Sequence, residues 1–365
     1  MTIIPSKMRA IVLKRFGGMD ALEYHEDWPV PVPEGREVLI KVAACGMNNT
    51  DVNTRSGWYS KDVTEATTGG AYDDVGDQDG TWGGGGVTFP RIQGADVCGY
   101  VVAVASGQDE ALIGKRVITD NWLRDWDDPL NMHKCGYYGS EADGGFAEYT
   151  KIDARNVHVV QSAFTDAELA TFSCSYSTAE GMLTRANVGS GDRVLITGAS
   201  GGVGGALIQL ANRRGAVTIA LASEAKHAEV AKMNPTHILP RAPDDLKSAL
   251  KAATGYNCVT VVADIVAGDC FPTLIDALDR GGRYTTSGAI AGPIVQLDVR
   301  TLYLMDLTFT GSTVIPPQVF SNLVDYIERG DIKPMLAATY PLEEFHAGQQ
   351  AFIEKKHTGN IVVVP

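Results

Sequence analysis

A chain of 365 residues is long enough for two domains with separate cores. Charged residues make up 21% of it, mean hydropathy is −0.04, and no apolar run approaches the roughly 20 residues of a membrane helix, so no membrane span is expected. The net charge of −13 argues against nucleic acid as a general partner. The start, Met1–Lys7, has no basic segment followed by an apolar core, so no secretory leader is expected. The cysteines (Cys45, Cys98, Cys135, Cys174, Cys258, Cys270) are scattered and form no C-x-x-C pair, which fits reduced thiols in a cytoplasmic protein.

In chain order, the first 160 residues read as short strands punctuated by glycine and proline, at Met8–Lys14, Glu37–Ala44, Val97–Ala105 and Lys115–Thr119. Residues 60–88 stand apart. Eight glycines and six acids against a single base, Lys61, predict a long exposed loop, either functional or a plain surface insertion. Thr165 and Glu168 make a T-x-x-E capping box, so a long helix is predicted from there. From Asp192 strands and helices alternate. The strands are Arg193–Thr197, Val217–Ala222, His237–Leu239, Val259–Ile265, Arg283–Ser287 and Leu307–Gly311, and the helices include Val203–Arg213 and Ala225–Met233. Such alternation means a doubly wound parallel sheet covered on both faces. A helix over Pro316–Arg329 capped by Gly330, another near Glu343–Lys355 and a strand Asn360–Val364 break the alternation. This tail is expected to return to the N-terminal domain. The division is therefore 1–160 with 316–365, and 161–315.

The most specific signal lies at Ile196–Gly204, Ile-Thr-Gly-Ala-Ser-Gly-Gly-Val-Gly, between an apolar strand and a helical stretch. That context turns a glycine cluster into a dinucleotide site. Gly201 and Gly202 supply a tight turn, Gly204 allows close packing, and Ala199 stands where the first glycine of G-x-G-x-x-G is usual. A pyrophosphate would rest on the N–H groups of Ser200–Gly204, Val203 included, where the helix dipole favours negative charge. Gly288, after the strand Arg283–Ser287, is a further cofactor candidate.

This ordering resembles the medium-chain dehydrogenase/reductase superfamily along nearly the whole chain. The resemblance rests on Met8-Arg9-Ala10, Pro31–Val42, Gly94–Gly99, Asp143–Tyr149 and Gly191–Gly204. It implies a GroES-like, mostly β catalytic domain, split in sequence, around a Rossmann domain, with the cofactor in the cleft between them. Zinc members of the superfamily hold their metal with Cys, His and Cys. Those places here carry Asn48, Ala95 and Cys174, and an amide and a methyl cannot replace a thiolate and an imidazole. Asp51, Asp96 and Cys174 would be the one remaining route to a metal. The structural-zinc lobe is also missing, since Cys135 is the lone cysteine between Asp120 and Gly145. Asn48–Asp51 (N-x-x-D) and Arg55–Tyr59 (R-S-G-x-Y) resemble the zinc-independent quinone oxidoreductases and enoyl reductases.

Without a metal, the acceptor oxygen must be polarised by hydrogen-bond donors. Asn48 and Tyr59 are the candidates, and Asp51 could take a proton. Thr178 matches the superfamily's threonine near the nicotinamide, and Tyr176 is a second phenol in that stretch. Each also suits a plainer role: Asn48 as a turn cap, Tyr59 as a loop aromatic, Thr178 as partner of a helix carbonyl, Asp51 as a backbone anchor. At the end of the second Rossmann strand an acid would favour NAD; Ser223 stands there, with Lys226 three residues on, which resembles NADPH-dependent members. The adjacent Glu224 is the argument for NAD.

The expectation is an NADPH-dependent, zinc-independent homodimer that reduces a conjugated carbonyl, whether enone, enal, quinone or enoyl thioester. Two rivals stay open: an alcohol dehydrogenase or carbonyl reductase acting on C=O, and a cofactor-binding protein without catalysis. The acidic insertion, beside Tyr59 and carrying Tyr72 and Trp82, is a candidate lid that favours small neutral acceptors.

Overall fold

The computed structural model describes residues 3–67, 86–105 and 107–365. Most of the acidic insertion, with Tyr72 and Trp82, lies outside the described residues. The chain forms two compact units, one from Met1–Val63, Gly70–Cys174 and Pro316–Pro365, the other from Thr64–Gly69 and Ser175–Ile315.

The first unit is mostly β. Lys7–Leu13 and Leu22–Pro29 form an antiparallel pair. A seven-stranded sheet runs Leu336–Pro341, Asn360–Val364, Glu37–Gly46, Asp96–Val104, Arg116–Thr119, Val157–Val159, with Tyr149–Asp153 also paired to Glu37–Gly46. Glu37–Gly46 is central, and Leu39, Ile40, Val97, Phe146, Phe345 and Ile361 pack in one core. The C-terminal strand Asn360–Val364 pairs antiparallel with Glu37–Gly46, so the tail does return to this unit. Two helices matter for the site: α1 (Asn49–Arg55), in this unit, and α2 (Ser173–Arg185), which belongs to the second unit from Ser175 on. The predicted capping box is present, with the Glu168 N–H on Thr165 Oγ1 at 3.2 Å and the Thr165 N–H on Glu168 Oε2 at 2.8 Å. The long helix predicted there is two helices. Asp166–Leu169 stops where the Thr171 hydroxyl turns back to the Glu168 carbonyl (2.7 Å), and α2 starts afresh.

The second unit is a parallel sheet of β1 (Arg193–Ile196), β2 (Val217–Ala222), β3 (His237–Pro240), β4 (Val259–Asp264), β5 (Leu278–Thr286) and β6 (Thr308–Gly311), with α3 (Gly202–Arg213) following β1. The spatial order is β3-β2-β1-β4-β5-β6, the doubly wound arrangement of dinucleotide folds. Val194, Leu195 and Ile196 are fully buried, as an unbroken apolar run must be in a sheet covered on both faces. The order reverses between β1 and β4. Folds of this kind take ligands beyond the strands' C-terminal ends at such a point.

Candidate active site

In the first unit a buried polar group gathers around the start of α1. Asn48 caps that helix, and its N–H donates to Asp51 Oδ2 at 2.7 Å. Gln93 Nε2 donates to the Asp51 carbonyl at 2.9 Å. Asp96, at the head of its strand, accepts from the Cys174 N–H (2.7 Å) and from Asn121 Nδ2 (3.2 Å). The Tyr137 hydroxyl donates to Cys174 Sγ at 3.2 Å. Burial pushes the Asp51 carboxyl up to about 7, and the Asp96 charge adds to the rise while the Asn48 N–H opposes it. Burial also raises Asp96 to about 7, against the nearby Asn48 amide and the bonds from Cys174 and Asn121. Burial holds the Tyr59 phenol far above its ordinary range. Its oxygen accepts from Asn53 Nδ2 at 3.4 Å. Tyr59 thus keeps its proton at neutral pH and is suited to donate a hydrogen bond more than to release a proton.

Asn48 Nδ2 is buried and has no partner at hydrogen-bonding geometry. It faces the Asp96 carboxyl, and an incoming oxygen would give it the well-aligned acceptor it lacks. Asp51, in contrast, is spent on the backbone of the α1 cap. Ala95 is buried, and the donor set of amide, methyl and thiol does not fit a three-ligand zinc site. Among the described residues no group of three or more His, Cys, Asp or Glu side chains is placed to hold a metal ion.

In the second unit the strand–turn–helix is as the glycine pattern requires. Gly198 takes φ +58°, and Gly201 caps α3. A Cβ on Gly204 would lie 2.2 Å from the Gly198 carbonyl oxygen, so this turn has no room for a side chain there. Ala199 is buried, with its N–H on the Leu221 carbonyl at 3.4 Å. Ser200, Gly201, Gly202 and Val203 are half-buried around the first turn of α3, whose leading N–H groups find no partner within a helix. This cradle fits a dinucleotide phosphate.

Ser223 follows β2, and Lys226 ends a short 3-10 turn. Arg241 follows β3, whose Pro240 pairs with Ala222 of β2. The Lys226 ammonium is pushed down, first by burial and then by the Arg241 charge. Two cations that repel one another beside Ser223 suit a phosphate dianion. Gly288 lies beyond β5, its carbonyl accepting from Thr286 Oγ1 at 3.1 Å. Thr178 is half-buried on α2. Tyr176 is fully buried and accepts from Gln209 Nε2 at 2.8 Å, a packing role linking α2 to α3. Sequence reasoning missed Arg241, Asn121 and Tyr137. Only Arg241 had a signal, its place directly after the strand beside β2.

Two family descriptions match the chain: the alcohol dehydrogenase GroES-like domain over residues 34–162 and the zinc-binding dehydrogenase over 202–329. A solved structure from Sinorhizobium meliloti 1021, described as a "putative alcohol dehydrogenase", is 46% identical, covers 99% of this chain and 98% of that one, and has a TM-score of 0.90. The chain belongs to the medium-chain dehydrogenase/reductase superfamily. Its first unit is the superfamily's GroES-like domain and its second the Rossmann-type domain. Among other relatives, quinone oxidoreductase of Lama guanicoe is 27% identical over 92% of this chain and 91% of its own length. Acryloyl-coenzyme A reductase of Sulfurisphaera tokodaii is 25% identical over 93% of this chain and 96% of its own. The chain is an oxidoreductase of this superfamily.

Proposed function

We propose that the protein is an NADPH-dependent, zinc-independent reductase of small conjugated carbonyl compounds. The observation that carries this is the buried Asn48 amide, which faces Asp96 without a well-aligned hydrogen bond, at a place where zinc members hold a metal ligand. When bound, NADPH supplies the hydride that a conjugated acceptor takes at its β-carbon. Asn48 Nδ2 and the Tyr59 hydroxyl donate to the carbonyl oxygen as it gains enolate charge, the work a metal would otherwise do. Asp96 and Asp51 hold this shell in place: Asp51 locks the Asn48 backbone and Asp96 faces its amide. The solvent delivers the final proton, because the phenol is held too high to give it readily. The names of the quinone oxidoreductase and acryloyl-coenzyme A reductase relatives support reduction of a conjugated system. Ser223, Lys226 and Arg241 support NADPH over NADH.

The test pairs an enone with its saturated ketone, each with NADPH, on protein whose metal content is known. The enone is reduced and the ketone is not, activity survives chelator, and zinc stays below about 0.2 per chain, since two ligand places have no donor for it. Stoichiometric zinc that activity follows would end this reading. A second reading, direct reduction of C=O, is favoured by the description of the Sinorhizobium meliloti structure. Turnover of the saturated ketone at the rate of the enone would decide for it.

A further inference from the structure

Asp264, the last residue of β4, is fully buried, and its carboxylate accepts five hydrogen bonds. Oδ1 takes the Thr197 hydroxyl (2.6 Å) and the N–H groups of Val266 (2.8 Å) and Ala267 (3.2 Å). Oδ2 takes the Tyr284 hydroxyl (2.7 Å) and the Ala267 N–H again (3.1 Å). Thr197 Oγ1 in turn accepts the Ile265 N–H at 3.1 Å, so the residue that opens the glycine turn and the end of β4 are tied to one carboxylate. The loop held this way is not relaxed. Ala267 has φ +53° and ψ −140°, a backbone region that glycine tolerates and alanine does not. A residue stays there only while its surroundings hold it, and the carboxylate bonds its N–H from both oxygens.

The loop is also tightly placed. A Cβ on Gly198 would lie 2.9 Å from Ile265 Cδ1, and one on Gly268 would lie 2.6 Å from the Ala291 carbonyl. The Ala291 N–H donates to the Val266 carbonyl at 2.8 Å. Residues 265–268 thus sit between the phosphate turn and the segment after Gly288, at the ends of β1, β4 and β5. In this architecture β1–β3, with Ser223 after β2, serve the adenosine half of a dinucleotide in the proposed reading, and β4–β6 serve the other half. We infer that Asp264 is a positioning residue for the nicotinamide half of the cofactor, acting through the strained Ala267 peptide. This rests on the reading that the protein binds a nicotinamide dinucleotide.

The experiment compares binding of the whole cofactor with that of its adenosine fragment. Probes are NADPH with 2′,5′-ADP, or NADH with 5′-AMP if the wild type prefers it. Asp264→Asn weakens the dinucleotide by about tenfold and leaves the fragment within about twofold, because the half that the fragment lacks is the one misplaced. Adding Ala267→Gly, which takes the same φ without strain, restores at least about threefold of the lost affinity, a coupling that independent sites would not show. Should Asp264→Asn fail to fold, Tyr284→Phe removes one bond and leaves the carboxylate; it gives the same selective loss at about threefold. Equal losses for dinucleotide and fragment, or no loss in either variant, overturn the inference while the functional reading stands. A wild type that binds the fragment and no dinucleotide, or neither, overturns both.

Discussion

At the scale of single residues, burial decides how the acids behave. Asp96 has its folded-state value near 7 against 3.8 for the free group, so the fold holds the proton more tightly than the unfolded chain does. Its stabilising contribution is therefore complete below pH 3.8, declines as pH rises toward about 7, and is gone above that. Asp96→Asn keeps an acceptor for the Cys174 N–H and removes the titration. Relative to this variant, the wild type loses about 1–3 kcal/mol between pH 4 and pH 8, measured by urea unfolding at each pH. A difference that stays constant with pH would show that Asp96 is ionised throughout. The cations near Ser223 make a separate prediction. Lys226→Ala or Arg241→Ala raises KM for NADPH by about three- to tenfold and leaves NADH nearly unchanged, since only the extra phosphate loses its partner. Equal effects on both cofactors would remove the phosphate assignment.

At the scale of elements, the β1–α3 turn depends on the absence of one methyl group. Gly204→Ala forces a carbon to 2.2 Å from the Gly198 oxygen, so the turn must open. The expected cost is on the order of 1–3 kcal/mol in stability, with dinucleotide binding lost more steeply than Tm falls. Thermal unfolding and cofactor fluorescence, read on one sample, check both. Local signals placed this turn correctly because strand, glycines and helix are contiguous. The helix after Thr165 shows the opposite case. Its capping box was legible, but its early end was not, because that end follows from the Thr171 hydroxyl competing for the Glu168 carbonyl.

At the scale of the whole molecule, β6 is the edge of its sheet, paired to β5 on one side among the described residues. Just before it, Val299, Tyr303 and Leu304 are more than half exposed on one short helix. An open strand edge beside apolar side chains is a surface that a second copy can cover, so a two-fold homodimer is expected. Light scattering at micromolar concentration should give twice the mass of 38.9 kDa. Tyr303→Lys shifts the population toward monomer, and a wild type of monomer mass would refute the expectation.

The amino-acid order by itself determined the parts whose physics is local: the unbroken apolar strands of a covered sheet, the glycine turn and the helix caps. It also carried Asn48, Tyr59 and the cofactor turn as candidates, because each lies within a short motif. The tertiary structure decided what depends on neighbours far apart in the chain. Asp96 meets Asn121 and Cys174, Arg241 comes beside Lys226 through the β2–β3 pairing, and Asp264 meets Tyr284 and Thr197. Burial belongs to the same class. No sequence pattern says that Asp51 and Asp96 are withdrawn from water together, and it is that shared desolvation which sets the proton affinity of both.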